Sequence, residues 1–164
     1  MPPNDESPAD DEVWFHAWRG VLFTSARVLR IADLDMLEHD GFPLTWFDVL
    51  SRLSDAAASG LRMQELEERA LFTRGGLTRL VDRIEAAGLV GREPVPGDRR
   101  GVRVVLTADG RQRYAAAIAR HREVIEREFG HRLTPGQHRA VADALWPWWH
   151  DADSVDDSDD SDDR

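Results

Sequence analysis

The sequence contains neither cysteine nor lysine. The absence of cysteine excludes a disulfide scaffold, a zinc site built on thiolates and a thiol redox switch. No apolar run approaches the roughly 20 residues that a membrane-spanning helix needs, and the first residues lack the basic and apolar regions of a secretory signal peptide. We therefore expect a cytoplasmic protein without a membrane partner. The sequence shows no phosphate-binding loop and no paired acid–base motif, which makes an enzyme the least favoured class.

The chain is acidic overall, with a formal net charge of −10, which normally argues against a nucleic-acid partner. The acids are concentrated at the two ends. Residues 1–12 hold five acids and no base, and residues 151–164 hold eight aspartates and one arginine, so residues 13–150 carry 18 acids against 20 arginines, a net charge of +2. The composition of the ends predicts a disordered acidic N-terminal arm over 1–12 and a disordered acidic tail over 151–164.

The first helix is predicted from about Asp11 to Glu38, because apolar side chains recur every three or four residues over about seven turns. This stripe consists of Trp14, Trp18, Val21, Ser25, Val28, Ala32 and Met36. A helix of this length is unusual in a small domain. It is more natural if a second chain shares its apolar face.

A second helix is predicted after the break at Gly41, Phe42 and Pro43. Thr45 suits its N-cap, and Asp48 follows three residues later as in a capping box. The buried face is marked by Phe47, Val49, Leu50 and Leu53.

A tight pair of helices comes next. The first is short, from Met63 to Ala70, with Leu66 facing inward, and Thr73 can cap the second. Spacing of i, i+3, i+4 and i+7 gives the second helix a buried face. That face consists of Leu77, Leu80, Val81 and Ile84, and the opposite side carries Gly75, Arg79 and Asp82, flanked by Thr78 and Arg83.

A hairpin is predicted from two strands, Leu89 to Val95 and Val102 to Leu106. Their link, Pro96 to Gly101, has the composition of a turn and carries Arg99 and Arg100. A helix thin enough for a DNA groove beside a basic hairpin is the geometry that reading a duplex requires.

Two further helices complete the pattern. Thr107 is predicted to cap a helix that runs to about Gly130. Its stripe consists of Tyr114, Ile118, His121, Ile125 and Phe129. Thr134 and Pro135 mark the start of the last helix, and Pro147 should end or kink it.

This order of elements resembles the MarR family of bacterial winged helix-turn-helix regulators. The likeness is carried by Leu66–Arg69, Leu77–Val90, Asp98–Arg100, Val104–Thr107 and Gly110, and it spans nearly all of residues 13–146. It implies a mainly α fold with a small β-hairpin wing and about six helices. The winged helix-turn-helix DNA-binding region would cover 41–107, and a helical dimerisation region 13–40 and 108–150.

The resemblance implies a homodimer that binds double-stranded DNA at a pseudo-palindromic operator and regulates transcription, as a repressor that responds to a small-molecule effector. The aromatic residues agree with a dimer. Five of the six tryptophans lie near the two ends of the folded region, at Trp14, Trp18, Trp146, Trp148 and Trp149. A partner subunit would cover this surface; the alternative is a core within one chain.

The reading helix is expected in the major groove and the wing arginine in the minor groove. The residues expected at DNA are Thr73, Arg74, Gly75, Gly76, Thr78, Arg79, Arg83, Arg99 and Arg100, with Asp98 supporting the wing. Gly75 and Gly76 depart from the family pattern, which has side chains in the first turn of this helix. They are interpreted either as a close approach of backbone N–H groups to phosphate or as a loose first turn.

Relatives hold ligands in a crevice between the dimer helices and the DNA-binding lobe, and Trp18, His39 and Trp46 are candidates to line it here. Some relatives sense zinc, but the six histidines show no spacing such as HExxH, so we expect no metal and no cofactor. The main alternative is a winged helix that binds protein and not DNA. Neutralising Arg79 and Arg100 would separate the two, since only DNA binding requires them. The acidic tail is interpreted as a solubility device, or as a competitor of phosphate for the basic surface.

Overall fold

The computed structural model describes residues 12–56, 59–70, 76–95 and 97–154, with the backbone alone at residues 99, 100 and 148–154. The helices are α1 (Val13–His39), α2 (Leu44–Asp55), α3 (Met63–Arg69), α4 (Leu77–Ala86), α5 (Ala108–Glu128) and α6 (Pro135–Ser154), and the strands are β1 (Leu61–Arg62), β2 (Val90–Val95) and β3 (Asp98–Leu106). The chain divides into two compact units, one ending at Ile125 and one beginning at Glu126. The predicted class, mainly α with a small β wing, is confirmed.

Helix α1 is as long as predicted, but its apolar stripe has two environments. Val28, Ala32 and Met36, in the C-terminal half, are buried in the core. Trp14 and Trp18, in the N-terminal half, are 71% and 56% exposed. One continuous helix therefore packs at one end and presents apolar surface at the other.

The start of α2 differs from the prediction. The helix begins at Leu44, with Pro43 as N-cap, so the prediction of Thr45 as N-cap with Asp48 as its capping-box partner is wrong. The backbone N–H of Leu44 donates to Asp33 Oδ1 of α1 at 2.8 Å. A carboxylate from another helix thus satisfies a donor that a local cap usually satisfies. The buried face of α2 contains the four predicted residues and, in addition, Leu44 and Asp48.

Helices α3 and α4 pack through the residues that their spacing predicts. Leu66 of α3 is fully buried, and the inward face of α4 consists of Leu77, Leu80, Val81 and Ile84. The end of α4 forms a Schellman motif, in which Gly88 N donates to Glu85 O and Leu89 N donates to Ile84 O. Gly88, at φ 79°, adopts the left-handed conformation that this motif requires.

The sheet has three antiparallel strands in the order β1-β3-β2. The two-residue strand β1 was not predicted, because two residues show no alternation. It is held where Leu61 pairs with Val104. Gly60 precedes it at φ 62°, and a Cβ there would lie 2.5 Å from the carbonyl oxygen of Val104, so this close approach requires glycine.

The wing has a shorter turn than predicted. Strand β3 begins at Asp98, which pairs with Val95, so two residues connect the strands and the predicted six-residue turn from Pro96 to Gly101 is wrong. Gly97 has φ 83°, a conformation suited to a tight hairpin turn. Arg99 and Arg100 consequently belong to β3.

Helix α5 begins as predicted, since Gly110 N donates to Thr107 Oγ1 at 2.9 Å. Its buried line differs from the prediction and consists of Gly110, Ala117 and Val124. The predicted stripe lies beside this line at intermediate exposure: Tyr114, Ile118, His121 and Ile125. The small residues at 110 and 117 allow the helix to approach its neighbours, so the contact line follows them and not the larger side chains.

The second unit contains the end of α5, a 3₁₀ turn (Gly130–Arg132) and α6. The start of α6 is a capping box, as Thr134 N donates to Gln137 Oε1 at 2.9 Å and Gln137 N donates to Thr134 Oγ1 at 3.3 Å. The helix continues past Pro147 to Ser154, so the first of the two expected outcomes, an end at this proline, is wrong, and the second, a kink, stays a prediction. A proline removes one backbone donor, and the remaining bonds carry the helix onward. The acidic tail beyond Ser154 lies outside the described residues.

Candidate nucleic-acid interface

The outward face of α4 carries the predicted polar side chains. Because the inward face is fixed by four buried apolar residues, Thr78, Arg79 and Arg83 point away from the core and are exposed. The side chain of neither Arg79 nor Arg83 makes an ion pair or hydrogen bond with another described residue. Both guanidinium groups are therefore available to an external partner such as a phosphate or a guanine edge.

The residues before α4 are placed only in part. Thr73, Arg74 and Gly75 lie outside the described residues. Gly76 is the N-cap of α4, at φ −150°, and not a residue of its first turn as the sequence suggested. It is exposed, and a Cβ there would meet nothing within 4 Å. The helix-interior cost of glycine therefore does not apply to Gly76.

The base of the wing is organised around Asp98. Its Oδ2 accepts a hydrogen bond from Arg62 Nη2 at 2.9 Å, which links β3 to the start of α3. Gly101 is buried, and a Cβ there would lie 2.6 Å from Asp98 Oδ2. Glycine at this position leaves room for the carboxylate. Arg99 and Arg100 are placed on β3 by their backbone, next to this pair.

All four acids of α4 and the two wing strands are paired with an arginine. The pairs are Asp82 and Glu85 with Arg92, Glu93 with Arg103, and Asp98 with Arg62. All four of these links join different elements. The pairing reduces the negative field beside the exposed arginines of α4, which the total charge of the chain does not reveal.

Arg92 and Arg62 were missed by sequence reasoning. Their partners lie 7 to 36 positions away along the chain, so no helical i, i+4 spacing indicates them. Donation to Asp82 raises the pKa of Arg92 above its ordinary value, and partial burial opposes this shift. The one signal in the sequence was an arginine inside a strand that follows a helix with two carboxylates one turn apart.

A cleft of about 340 Å³ lies at the foot of the wing, beside β1 and α3. Its lining includes Arg62, Arg69 and Arg103. Two of these arginines are already paired with wing acids, so the cleft is not a concentrated cationic site. Among the residues that the structure describes, no three histidine or acidic side chains are grouped to hold a metal ion.

The three candidate ligand residues are in different surroundings. Trp18 is exposed on α1, and Trp46 stacks on Phe42 with ring centroids 6.2 Å apart. His39 Nδ1 lies 2.9 Å from the carbonyl oxygen of Asp35. Trp18 and His39 are 21 residues apart on one helix, a distance of about 30 Å at 1.5 Å per residue. Within one protomer they do not line a common small pocket.

His121 lies away from the interface, on α5. Its ring centroid is 4.8 Å from that of Phe47, and its Nδ1 is buried without a hydrogen-bond partner in the described part of the chain. Burial lowers the pKa of this imidazole, so the neutral form is favoured in the folded state.

Comparison with known proteins adds to this geometry. Residues 40–101 match the sequence pattern of the MarR family. The transcriptional regulator HosA of Escherichia coli O111:H- is 42% identical over 59 residues, which cover 36% of this chain and 44% of that protein. The chain thus spans less than half the length of this curated relative.

Two solved structures from Streptomyces coelicolor extend the likeness over most of the chain. The MarR family transcriptional regulator AbsC is 27% identical, with a TM-score of 0.74 over 88% of this chain and 96% of that one. The MarR family transcriptional regulator Sco3205, solved in complex with DNA, is 26% identical, with a TM-score of 0.75 over 94% of this chain and 95% of that one.

In the described ranges, no helix has both the length and the apolar character to cross a bilayer.

Proposed function

We propose that this chain is a member of the MarR family, whose sequence pattern residues 40–101 match, and that it binds double-stranded DNA and regulates transcription. The observation that carries the proposal is the outward face of α4. It presents Arg79 and Arg83, both exposed and without a partner among the described residues, while each acid of α4 and the wing strands is paired. The similar fold of Sco3205, which was solved in complex with DNA, supports DNA as the partner.

In the proposed complex, α4 lies in the major groove. Arg79 and Thr78 contact base edges there, since an arginine pairs bidentately with guanine and a threonine serves either type of base. Arg83, one turn later, contacts phosphate. Arg100 on the wing enters the minor groove, whose negative potential is strongest in A·T-rich tracts.

The protein is further proposed to act as a homodimer on a pseudo-palindromic operator. Each unit, taken by itself, exposes apolar residues that a partner chain would cover. On α1 these include Trp14, Trp18 and Phe23, and on α6 they include Leu145 and Trp146. A twofold dimer would place two copies of α4 about 34–36 Å apart, matching successive major grooves.

The operator is found by incubating the full chain with fragmented genomic DNA, sequencing the retained fragments and measuring affinity by fluorescence anisotropy over a salt series. Arg83→Ala is expected to weaken binding to all sequences. It should reduce the slope of log K against log salt by about 0.9 for each phosphate that the variant no longer neutralises. Arg79→Ala is expected to relax preference at one base position in each half-site, at about 1–3 kcal/mol per base pair read.

Arg122→Ala is the matched control, because Arg122 is an exposed arginine of α5 that is not part of the α4 face. It changes the net charge by the same amount and should leave the salt slope unaltered. Retention of no fragment by micromolar wild-type protein at low salt would reject DNA binding. Equal weakening in Arg122→Ala and Arg83→Ala would reject the assigned face.

The dimer is tested by sedimentation of Trp14→Ser/Trp18→Ser at several concentrations. Dissociation to monomers is expected, whereas Val102→Ser, which changes an exposed apolar residue of β3, should sediment as the wild type. A monomeric wild-type protein at the concentrations that bind DNA would contradict this assembly. The last part of the proposal is that the protein represses transcription and that a small-molecule effector releases this repression. Such an effector must change the affinity for the operator, and the size of the change is the coupling free energy between the two sites.

A further inference from the structure

Arg92 of β2 makes two contacts with α4. Its Nη2 donates to Asp82 Oδ1 at 2.7 Å, and its Nη1 donates to Glu85 Oε2. The side chain of Arg92 is 28% exposed and that of Asp82 is 55% exposed. The guanidinium thus spans two carboxylates one turn apart on the helix and ties that helix to the wing.

The position of Asp82 makes this interaction relevant to the interface. Asp82 lies three residues after Arg79 and four after Thr78, and residues at these spacings share a helix face. An exposed carboxylate on that face would repel a phosphate backbone, and Glu85 would add a second charge nearby. With Arg92 in place, the three groups together carry one net negative charge instead of two.

We propose that Arg92 is a positioning residue for DNA binding, which neutralises Asp82 and Glu85 and fixes α4 against the wing. This role rests on the proposed function. It assigns Arg92 no contact with DNA, and it distinguishes this arginine from Arg79 and Arg83, which face outward and have no such partners within the described part of the chain.

The test compares operator affinity of the full-length variants by anisotropy over a salt series. Arg92→Met should bind about tenfold more weakly at low salt, since exposed charge interactions each change an equilibrium a few-fold and a dimer has two sites. The deficit should shrink at high salt, because repulsion between exposed charges is screened. Arg92→Lys keeps the charge and should bind within about threefold of wild type.

Rescue separates neutralisation from simple support of the fold. Arg92→Met/Asp82→Asn/Glu85→Gln removes the charges that Arg92 neutralises, and its affinity should return to within about threefold of wild type. Asp82→Asn/Glu85→Gln alone should bind at least as tightly as wild type. Asparagine and glutamine have nearly the same shape as the aspartate and glutamate that they replace in the double and triple variants. The double variant also keeps Arg92. The test therefore does not rest on the correct folding of a single variant.

Arg120→Met is the matched control. It removes an arginine of α5 whose Nε lies 3.5 Å from Asp40 Oδ2, so it deletes one ion pair and one positive charge away from α4. Its affinity should remain within about threefold of wild type. Unchanged binding by Arg92→Met, or failure of the triple variant to recover, would overturn the role of Arg92 while leaving DNA binding intact. A wild type that binds no DNA would instead remove the proposed function itself.

Discussion

Gly110→Ala is expected to destabilise the fold, because α5 touches the backbone of the chain at this glycine. A Cβ at position 110 would lie 1.9 Å from the carbonyl oxygen of Leu89 and 2.8 Å from its carbonyl carbon. Ordinary contact begins at 3.4 Å, so the helix and this carbonyl would have to separate by about 1.5 Å. The obstacle is backbone and cannot rotate away as a side chain would.

The size of the expected loss of stability follows from the hydrogen bonds that the carbonyl oxygen of Leu89 accepts. It accepts a hydrogen bond from Thr107 N at 3.1 Å, and it shares the hydroxyl proton of Thr107, at 3.2 Å from Oγ1, with the nearer carbonyl oxygen of Gly88 at 2.7 Å. Overpacking costs about 1–3 kcal/mol, each weakened hydrogen bond about 1 kcal/mol, and the gain in helix propensity returns up to about 1 kcal/mol. The net loss is about 3 kcal/mol, which lowers the melting temperature of a chain of this size by about 10 °C.

The assay is thermal and urea unfolding followed by circular dichroism, at one fixed chain concentration because an oligomer melts in a concentration-dependent way. Gly136→Ala is the matched control. It also changes a glycine in the first turn of a helix, but a Cβ there meets nothing within 4 Å, so its stability should be unchanged or slightly higher. A Gly110→Ala protein that melts within about 2 °C of wild type would show that the contact is not rigid and would refute the reasoning.

Three further outcomes are expected. Gly101→Ala would place the new Cβ 2.6 Å from Asp98 Oδ2 and displace that carboxylate. Operator binding measured by anisotropy should weaken several-fold. The free energy of unfolding should fall by about 1 kcal/mol or less, because the end of a side chain can move aside. Burial lowers the pKa of His121 in the folded state below the ordinary value of 6.5. Above pH 6.5 the imidazole is neutral in both the folded and the unfolded chain. As the pH falls below 6.5 the unfolded chain binds the proton first, so the free energy of unfolding decreases. His121→Leu should therefore flatten the urea-unfolding profile between about pH 5 and 7, and an unchanged difference from wild type across that range would count against it. Asp33→Ala removes the acceptor for Leu44 N and should cost about 1 kcal/mol in unfolding experiments, with no change in operator affinity at saturating folded protein.

The buried faces of the central helices could be predicted from the sequence because local spacing determines them. Leu66, Leu80 and Ile84 are buried where a period of 3.6 residues places them. The same spacing determines the exposed positions of Arg79 and Arg83, so the helical part of the candidate interface follows from the sequence alone.

The features that sequence reasoning missed depend on contacts between distant segments. Asp33 caps α2 from another helix, 11 residues earlier, and Thr45 was therefore a false local signal. Arg62 pairs with Asp98 across 36 positions, which no periodicity records. The length of the wing turn was overestimated because charged residues resemble loop in composition, although Arg99 and Arg100 belong to strand β3, where its register with β2 shifts.

Because α1 is fixed at one end and exposed at the other, a small rotation at the fixed end produces a larger displacement at the exposed end. The fixed end is the stretch from Val28 to Met36, which is buried in the core. Trp14 lies 14 residues before Val28, about 21 Å along the helix axis. A tilt of about 10° at the anchored end would carry Trp14 through about 4 Å, since a continuous helix bends little over this length. A small change in the packing around α2 would therefore cause a larger displacement at the N-terminal end of α1. A second chain that packs against the tryptophans there would have to move with them.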